Sequence, residues 1–245
     1  MKILGLESSA KSASVAITEN GAVLGRTFQN MGLTHSRTLL PMAESLLQNC
    51  GLRVADLGAI AVAAGPGSFT GLRIGVSAAK GLAWAAELPC AAVSTLEAMA
   101  QNLTYPDGTL LICAMDARRN QVYNALFTAE GGALRRLCPD RAVALADVIA
   151  DVRQDVREKI VVGDGALLCY NALQEAGIAC RLAPEMQRWQ DAVGVCLCAE
   201  EMARQGRLVS AAELQPTYLR LSQAERERLQ REQEKAKANA KPAEQ

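Results

Sequence analysis

The sequence predicts an α/β protein with mixed sheets, built from two halves of one pattern in which three successive strands are followed by helices alternating with strands. Three observations carry this. Residues 2–28 fall into three strand-like runs, "KILGLES", "ASVAIT" and "AVLGRTF", with Glu19-Asn20-Gly21 placed as a hairpin turn. The run "GAIAVAAG" (58–65) is small, apolar and bounded by glycines, as a strand buried on both faces would be, and it feeds a glycine-rich turn and a helix. After the turn cluster "TYPDG" (104–108) a second trio of strands appears, so the pattern repeats although the residues do not.

Between the opening strands and the buried one, "THSRTLLPMAESLLQNCG" spaces Leu39, Leu40, Ala43, Leu46 and Leu47 as a helix, with Thr34 as N-cap and Gly51 as the left-handed stop. Pro41 inside this span predicts an irregular first turn or a later start. A second helix is expected from about Gly71 to Glu87, stopped by Pro89. "CAAVS" then reads as a short strand and "TLEAMAQNL" as a helix. In the second half "TLLICAMDA", "QVYNALFT" and "ALRRLC" read as strands, with Glu130-Gly131-Gly132 as hairpin turn. Ala144 to Val152 reads as a helix, Lys159 to Val162 as a strand and Gly163 to Gly165 as a turn. Helices over Ala166 to Ala176 and Asp191 to Gln205 complete the half. The expected division is 1–103, 104–222 with a late helix returning to the first half, and a polar tail, 223–245, read as a solvated helix fraying into disorder.

Composition narrows the function classes. The chain balances 26 Lys plus Arg against 26 Asp plus Glu, without the basic excess that unaided nucleic-acid binding requires. Its eight cysteines form no CxxC pair and its one histidine completes no zinc pattern, so buried thiols in a reducing cytoplasm are expected, with no metal. No run reads as a signal peptide or a membrane span, so a cytoplasmic location is expected.

Three stretches are candidate sites. "AAGPGSFTGLRIG" (63–75) lacks the Lys-Ser or Lys-Thr of a P-loop and the spacing of a dinucleotide fingerprint. Gly65 and Gly67 shape the turn and Ser68 or Thr70 caps the helix. Gly71, Gly75, Ala78, Ala79 and Leu82 make a face of small residues for a backbone passing close by, either internal or from another subunit. In "GLESSAKSASVAI", Glu7, Ser8, Ser9 and Ser12 suit a phosphate with hydrated Mg²⁺, or equally a serine-rich turn that satisfies itself. In "AMDARRNQVY", Asp116 and Arg118 end a buried strand, as functional groups or as a structural ion pair. His35, beside Thr34 and Ser36, reads as a surface residue.

Together "ILGLESSAKSASVAI", "THSRTLLPMAESLL", "AIAVAAGPGSFTGLRIGVSAAKGLA", "VSTLEAMA", "MDARRNQVY" and "PTYLR" resemble, in order and spacing over residues 1 to 221, the bacterial TsaB family, also called YeaZ. The resemblance implies an ASKHA fold, that of actin, sugar kinases and heat-shock ATPases, with two duplicated β-β-β-α-β-α halves. It implies a scaffold and activator in making N6-threonylcarbamoyladenosine at tRNA position 37. The expected partners are a TsaD-like paralogue, which carries the transferase metal site, a TsaE-like ATPase, and tRNA through the complex, with a homodimer when alone. It implies no catalytic residue and no intrinsic cofactor, ATP and Mg²⁺ being used by the assembled complex.

On this reading Leu39, Leu40, Ala43, Leu46 and Leu47 with Gly71, Gly75, Ala78, Ala79 and Leu82 form the dimer or partner interface. Glu7, Ser8, Ser9, Ser12, Gly65, Gly67, Ser68, Asp116 and Arg118 mark a vestigial nucleotide or phosphate site, since "ESSAKS" lacks the glycine that follows the acid in nucleotide-binding members. The alternatives are an independent ATPase or phosphotransferase of this fold, and a metal-dependent glycoprotease-like peptidase.

Overall fold

Two antiparallel hairpins start each half, and the strand that opens each one becomes the centre of its sheet. In the computed structural model, which describes residues 1–220, β1 (Lys2–Glu7), β2 (Ala13–Glu19) and β3 (Ala22–Gln29) are antiparallel neighbours, turning at Gly21 with φ 82°. β4 (Ala59–Gly65) joins β1 in parallel and β5 (Cys90–Ser94) joins β4, giving the order β3-β2-β1-β4-β5. The second half repeats the plan. β6 (Leu110–Asp116), β7 (Gln121–Glu130) and β8 (Ala133–Arg136) are antiparallel, β9 (Arg141–Ala144) pairs with β7, and β10 (Lys159–Val162) and β11 (Arg181–Leu182) run parallel to β6. Its order, β8-β7-β6-β10-β11, matches the first sheet strand for strand.

Alternation along the strands builds a layer on each face. Leu4, Leu6, Val15 and Ile17 point to one side, against α1 (His35–Asn49) and α2 (Phe69–Ala85). Ile3, Ala16, Ala61 and Ala63 point to the other. That side is covered by α3 (Thr95–Gln101) and by α7 (Ala192–Arg204), the last helix, which packs on the first sheet. Gly5 lets α7 sit directly on β1, because a Cβ there would lie 2.6 Å from Cys196 Sγ. α3 also covers the inner face of the second sheet, where Leu96, Met99, Phe127 and Leu111 share one cluster. α4 (Leu145–Val152) and α5 (Ala166–Glu175) cover its outer face, and α6 (Glu185–Arg188) leads into α7. Each fully buried Leu or Phe contributes about 1.5–3 kcal/mol, and both hydrophobic sheet faces in each half are covered.

Several boundaries differ from the sequence reading. α2 begins at Phe69, because Ser68 caps it by accepting the Gly71 N–H at 3.3 Å. α1 runs unbroken from His35 through Pro41, whose exposed position leaves water to satisfy the carbonyl that a proline cannot bond. Thr34 makes no side-chain cap there. Strands β9 and β11 and helix α6 were not expected, being too short for a period to show. Of the eight free cysteines, five are buried and three are partly exposed. The expected tail, 223–245, lies outside the described residues.

The small-residue face of α2 meets a partner inside this chain. A Cβ on Gly71 would overlap the Ser8 carbonyl oxygen, and one on Gly75 would lie 2.5 Å from Ser8 Oγ. Ala79 is fully buried, as are Leu39 and, within a few per cent, Ala43, Leu46 and Leu47 under α1. The expectation that these ten side chains form a partner surface is therefore corrected: most belong to the core. Leu40 faces outward at 47% exposure, Ala78 and Leu82 are half-buried, and the outward side of α2 adds Ser77, Gly81 and Trp84.

Two glycines of α2 separate these roles. Gly71→Ala is expected to cost about 2–3 kcal/mol in urea unfolding, since backbone must move to admit the methyl. Gly81→Ala, with open space beyond it, is expected to stabilise by about 0.5–1 kcal/mol.

Candidate cleft between the halves

At the C-terminal ends of β1, β4, β6 and β10 the halves face each other across a cleft of about 610 Å³. Its first-half wall is the β1–β2 turn (Ser9 to Lys11) and the glycine-rich turn into α2 (Gly67 to Thr70). Its second-half wall is Met115 to Arg118, Tyr123 and Asp164. Residues Thr217 to Arg220 also line it. The duplication explains the placement: after β4 comes a glycine turn and α2, and after β10 comes Gly163-Asp164-Gly165 and α5. Gly163 has φ 113°, and a Cβ on Gly165 would lie 2.7 Å from the Asp116 backbone nitrogen, so this turn is pressed onto the end of β6.

The glycine-rich turn is packed against its own chain. The Ser68 N–H donates to the Ser9 carbonyl at 2.7 Å, and a Cβ on Gly67 would lie 2.6 Å from that same oxygen. Ser8 Oγ donates to the Gly71 carbonyl at 2.9 Å, and Ser12 Oγ to the Gln190 carbonyl at 3.0 Å. Gly65, at φ 138°, lies against Thr217, whose carbonyl oxygen occupies the place of a Cβ. His35 is partly buried, correcting its surface reading: its Nε2 lies 2.7 Å from the Ala10 carbonyl, so that nitrogen donates and steadies the β1–β2 turn.

Of the expected site residues, Ser9, Gly67, Ser68, Asp116 and Arg118 line the cleft, whereas Glu7, Ser8 and Ser12 are buried behind it. The Asp116–Arg118 side-chain ion pair does not form: Asp116 Oδ1 instead accepts the Arg118 backbone N–H at 2.7 Å, holding a turn in which Arg118, Arg119 and Asn120 all have positive φ. Lys11, Asp164, Tyr218 and Arg220 were missed. The second glycine turn was the sequence signal for Asp164, by analogy with the first.

Two acids here, Glu7 and Asp164, have raised pKa values. One Glu7 oxygen accepts the Ser9 N–H at 2.6 Å, and the other is buried with no partner among the described residues, as are Ser9 Oγ and Gln190 Oε1. Burial pushes Glu7 up to about 7, with Asp191 and Asp164 adding to the rise. Burial also pushes Asp164 up to about 6, although Gln190 Nε2 donates to it at 2.7 Å. Among the described residues no group of three His, Cys, Asp or Glu side chains is placed to hold a metal ion. The Glu7 carboxyl is thus sealed behind the cleft, and the glycines of the first turn are already covered by Ser8, Ser9 and Thr217.

The raised acid sets the sign of a pH effect. Folded Glu7 binds a proton more tightly than it does unfolded, where its pKa is 4.5, so stability falls as pH rises from about 4.5 through about 7 and levels off above. The loss is on the order of 3 kcal/mol. Glu7→Gln is expected to flatten urea midpoints between about pH 6 and 8, leaving below that the fall contributed by Asp164, and to be more stable than the parent at pH 8.

Comparison with known proteins agrees with this architecture. The sequence model of the TsaD family, described as tRNA N6-adenosine threonylcarbamoyltransferase, matches residues 29–227. The chain is 34% identical over 235 residues to the tRNA threonylcarbamoyladenosine biosynthesis protein TsaB of Bacillus subtilis (strain 168), covering 92% of this chain and 96% of that protein. A crystal structure of a Pseudomonas aeruginosa protein described as similar to peptidase YEAZ superposes with a TM-score of 0.77 at 26% identity, over 89% of this chain and 99% of that one. Component A of the (R)-2-hydroxyglutaryl-CoA dehydratase of Acidaminococcus fermentans, at a TM-score of 0.50 and 12% identity over 83% of this chain and 99% of that one, shares the fold alone, that of the ASKHA proteins. With its duplicated sheets and the match spanning nearly the whole chain, the protein belongs to the TsaB (YeaZ) family of tRNA threonylcarbamoyladenosine biosynthesis proteins, which shares the TsaD-type domain.

Proposed function

We propose that this chain is a noncatalytic scaffold and activator of the complex that makes N6-threonylcarbamoyladenosine at tRNA position 37. It pairs with a TsaD-like paralogue, a TsaE-like ATPase joins the pair, and tRNA is met through the complex; alone, the chain pairs with itself. The observation that carries this reading is the outward side of α1 and α2, where Leu40 of α1 is 47% and Trp84 of α2 71% exposed and Ser77 and Gly81 of α2 are exposed as well. An exposed tryptophan on a two-helix layer with small neighbours suits another helical layer packed close. A paralogue with the same domain has a corresponding layer to offer, so the pairing is quasi-symmetric.

The noncatalytic part rests on the cleft. The chain's one histidine, His35, is committed to Ala10 outside the cleft lining and the acid behind the cleft, Glu7, is sealed, which leaves ATP and Mg²⁺ to the partners. No helix among the described residues is long and apolar enough to cross a membrane, which suits a place beside tRNA in the cytoplasm.

Reconstitution of the tRNA modification from TsaD and TsaE with and without this chain tests the role: activity is expected only with it, and equal activity without it overturns the reading. Trp84→Glu and Leu40→Glu, both on the surface, are expected to weaken capture of the TsaD-like partner at least roughly tenfold with an unchanged melting temperature. Calorimetry with Mg-ATP tests the cleft in the same preparation, where micromolar binding by the chain alone would favour a resident ATPase.

A further inference from the structure

We infer that Thr217 to Arg220 form a strap that ties the two halves together across the mouth of the cleft and fixes the angle between them. The strap is anchored in the first half twice. The Thr217 N–H donates to the Ala64 carbonyl at 2.7 Å, and its own carbonyl lies where any side chain at residue 65 would begin, so Gly65 is the residue that lets the strap pass. Tyr218 stacks on Phe69 with ring centroids 4.7 Å apart and planes at 26°. The Arg73 guanidinium also lies over the Phe69 ring, 3.9 Å from its centroid, and its Nε donates to the Tyr218 hydroxyl at 3.1 Å.

Two residues further on the strap reaches the other half, where the Arg220 guanidinium donates to the Ala117 carbonyl at 2.6 Å. Ala117 begins the turn that holds Arg118, Arg119 and Asn120 at positive φ, so the strap ends on the most conformationally demanding part of the second wall. Four consecutive residues thus touch both walls, and the glycine-rich stretch and the late "PTYLR" stretch form one unit.

A separate tie makes the strap effective. In α3 and the β8–β9 loop, Arg136 pairs with Glu97 at 2.7 Å and with Asp140 at 2.5 Å, and Ser94 Oγ donates to Asp140 at 2.6 Å, so first-half and second-half residues share one charged network. Arg136 also lies 4.6 Å above the Phe127 ring, which removes the freedom of its side chain. With ties at two places, the sheets behave as one body and the cleft keeps its width. A hinged two-domain protein that closes on a ligand needs the opposite arrangement. The inference does not depend on which partner binds α1 and α2.

Hydrogen exchange of the full chain tests it, because a strap couples places that do not touch each other. Arg220→Ala removes a contact in the second half only, yet it is expected to speed exchange of amides 65–71 in the first half at least roughly tenfold. Tyr218→Ala removes a contact in the first half only, and is expected to speed exchange of 116–121 similarly. Away from those turns, residues 3–6 of β1, 60–63 of β4 and 111–114 of β6 should be unchanged in both. Acceleration confined to 217–220, or to the half that each variant touches, overturns the proposal. If Tyr218→Ala loosens the whole chain, Arg220→Ala decides alone, since it removes one contact at the rim of the cleft; Arg220→Lys, which keeps a donor, should restore most of the protection.

Discussion

The rest of the first half depends on a close contact between two pieces of backbone, the Ser8-Ser9 turn after β1 and the N-terminal turns of α2. Hydrogen bonds run both ways, from Ser68 N–H to the Ser9 carbonyl and from Ser8 Oγ to the Gly71 carbonyl. Neither forms with a side chain in the gap, so Gly67, Gly71 and Gly75 are required together. Glycine inside a helix costs about 1 kcal/mol relative to alanine, and α2 tolerates this at Gly71 and Gly75 because its start is thereby fixed to the central strand. The direction of α2, the shape of one cleft wall and the outward position of Trp84 all follow from that seat.

The duplication then distributes labour unevenly. Both halves keep the central strand, the antiparallel hairpin and the glycine turn, but α3 and α7 lie between the sheets and serve both or return to the first. The inner layer leaves little room for the halves to move independently. At the cleft the same economy applies: polar groups that would face a ligand in an open site instead bond the chain's own backbone, as Ser8, Ser12 and Asp116 do. Glu7 does so with one oxygen and keeps the other buried and unmatched, and its raised pKa is the consequence of that burial.

Most of the architecture was legible in the residues. Hairpin turns at Gly21 and Gly131-Gly132, the fully buried run of β4 and the helical spacing of α1 each have a local physical cause, so reading them needed no tertiary knowledge. The repeat of three strands announced the duplication even without identity between the halves. The site was legible only in part. Gly71 and Gly75 announced a close neighbour, but small residues are silent about which backbone approaches, and it proved to be Ser8. Leu46 and Leu47 fit a helix face equally well whether that face meets a sheet or a partner. β9, β11 and α6 span two to four residues, too few for any period to register. Tyr218 and Arg220 stood in the quoted "PTYLR" and Asp164 in a second glycine turn, but nothing local showed that these stretches, distant in sequence, meet at one cleft.

The glycine-rich stretch is spent inside the chain, and on the proposed function the outward side of α1 and α2 is the surface offered to a partner. Hydrogen exchange of the chain with and without a TsaD-like partner tests this most directly. The expected result is new protection over residues 36–44 and 77–85, with the turns at 7–11 and 65–68 unchanged. Protection at those turns, with both helices exchanging as before, would contradict it.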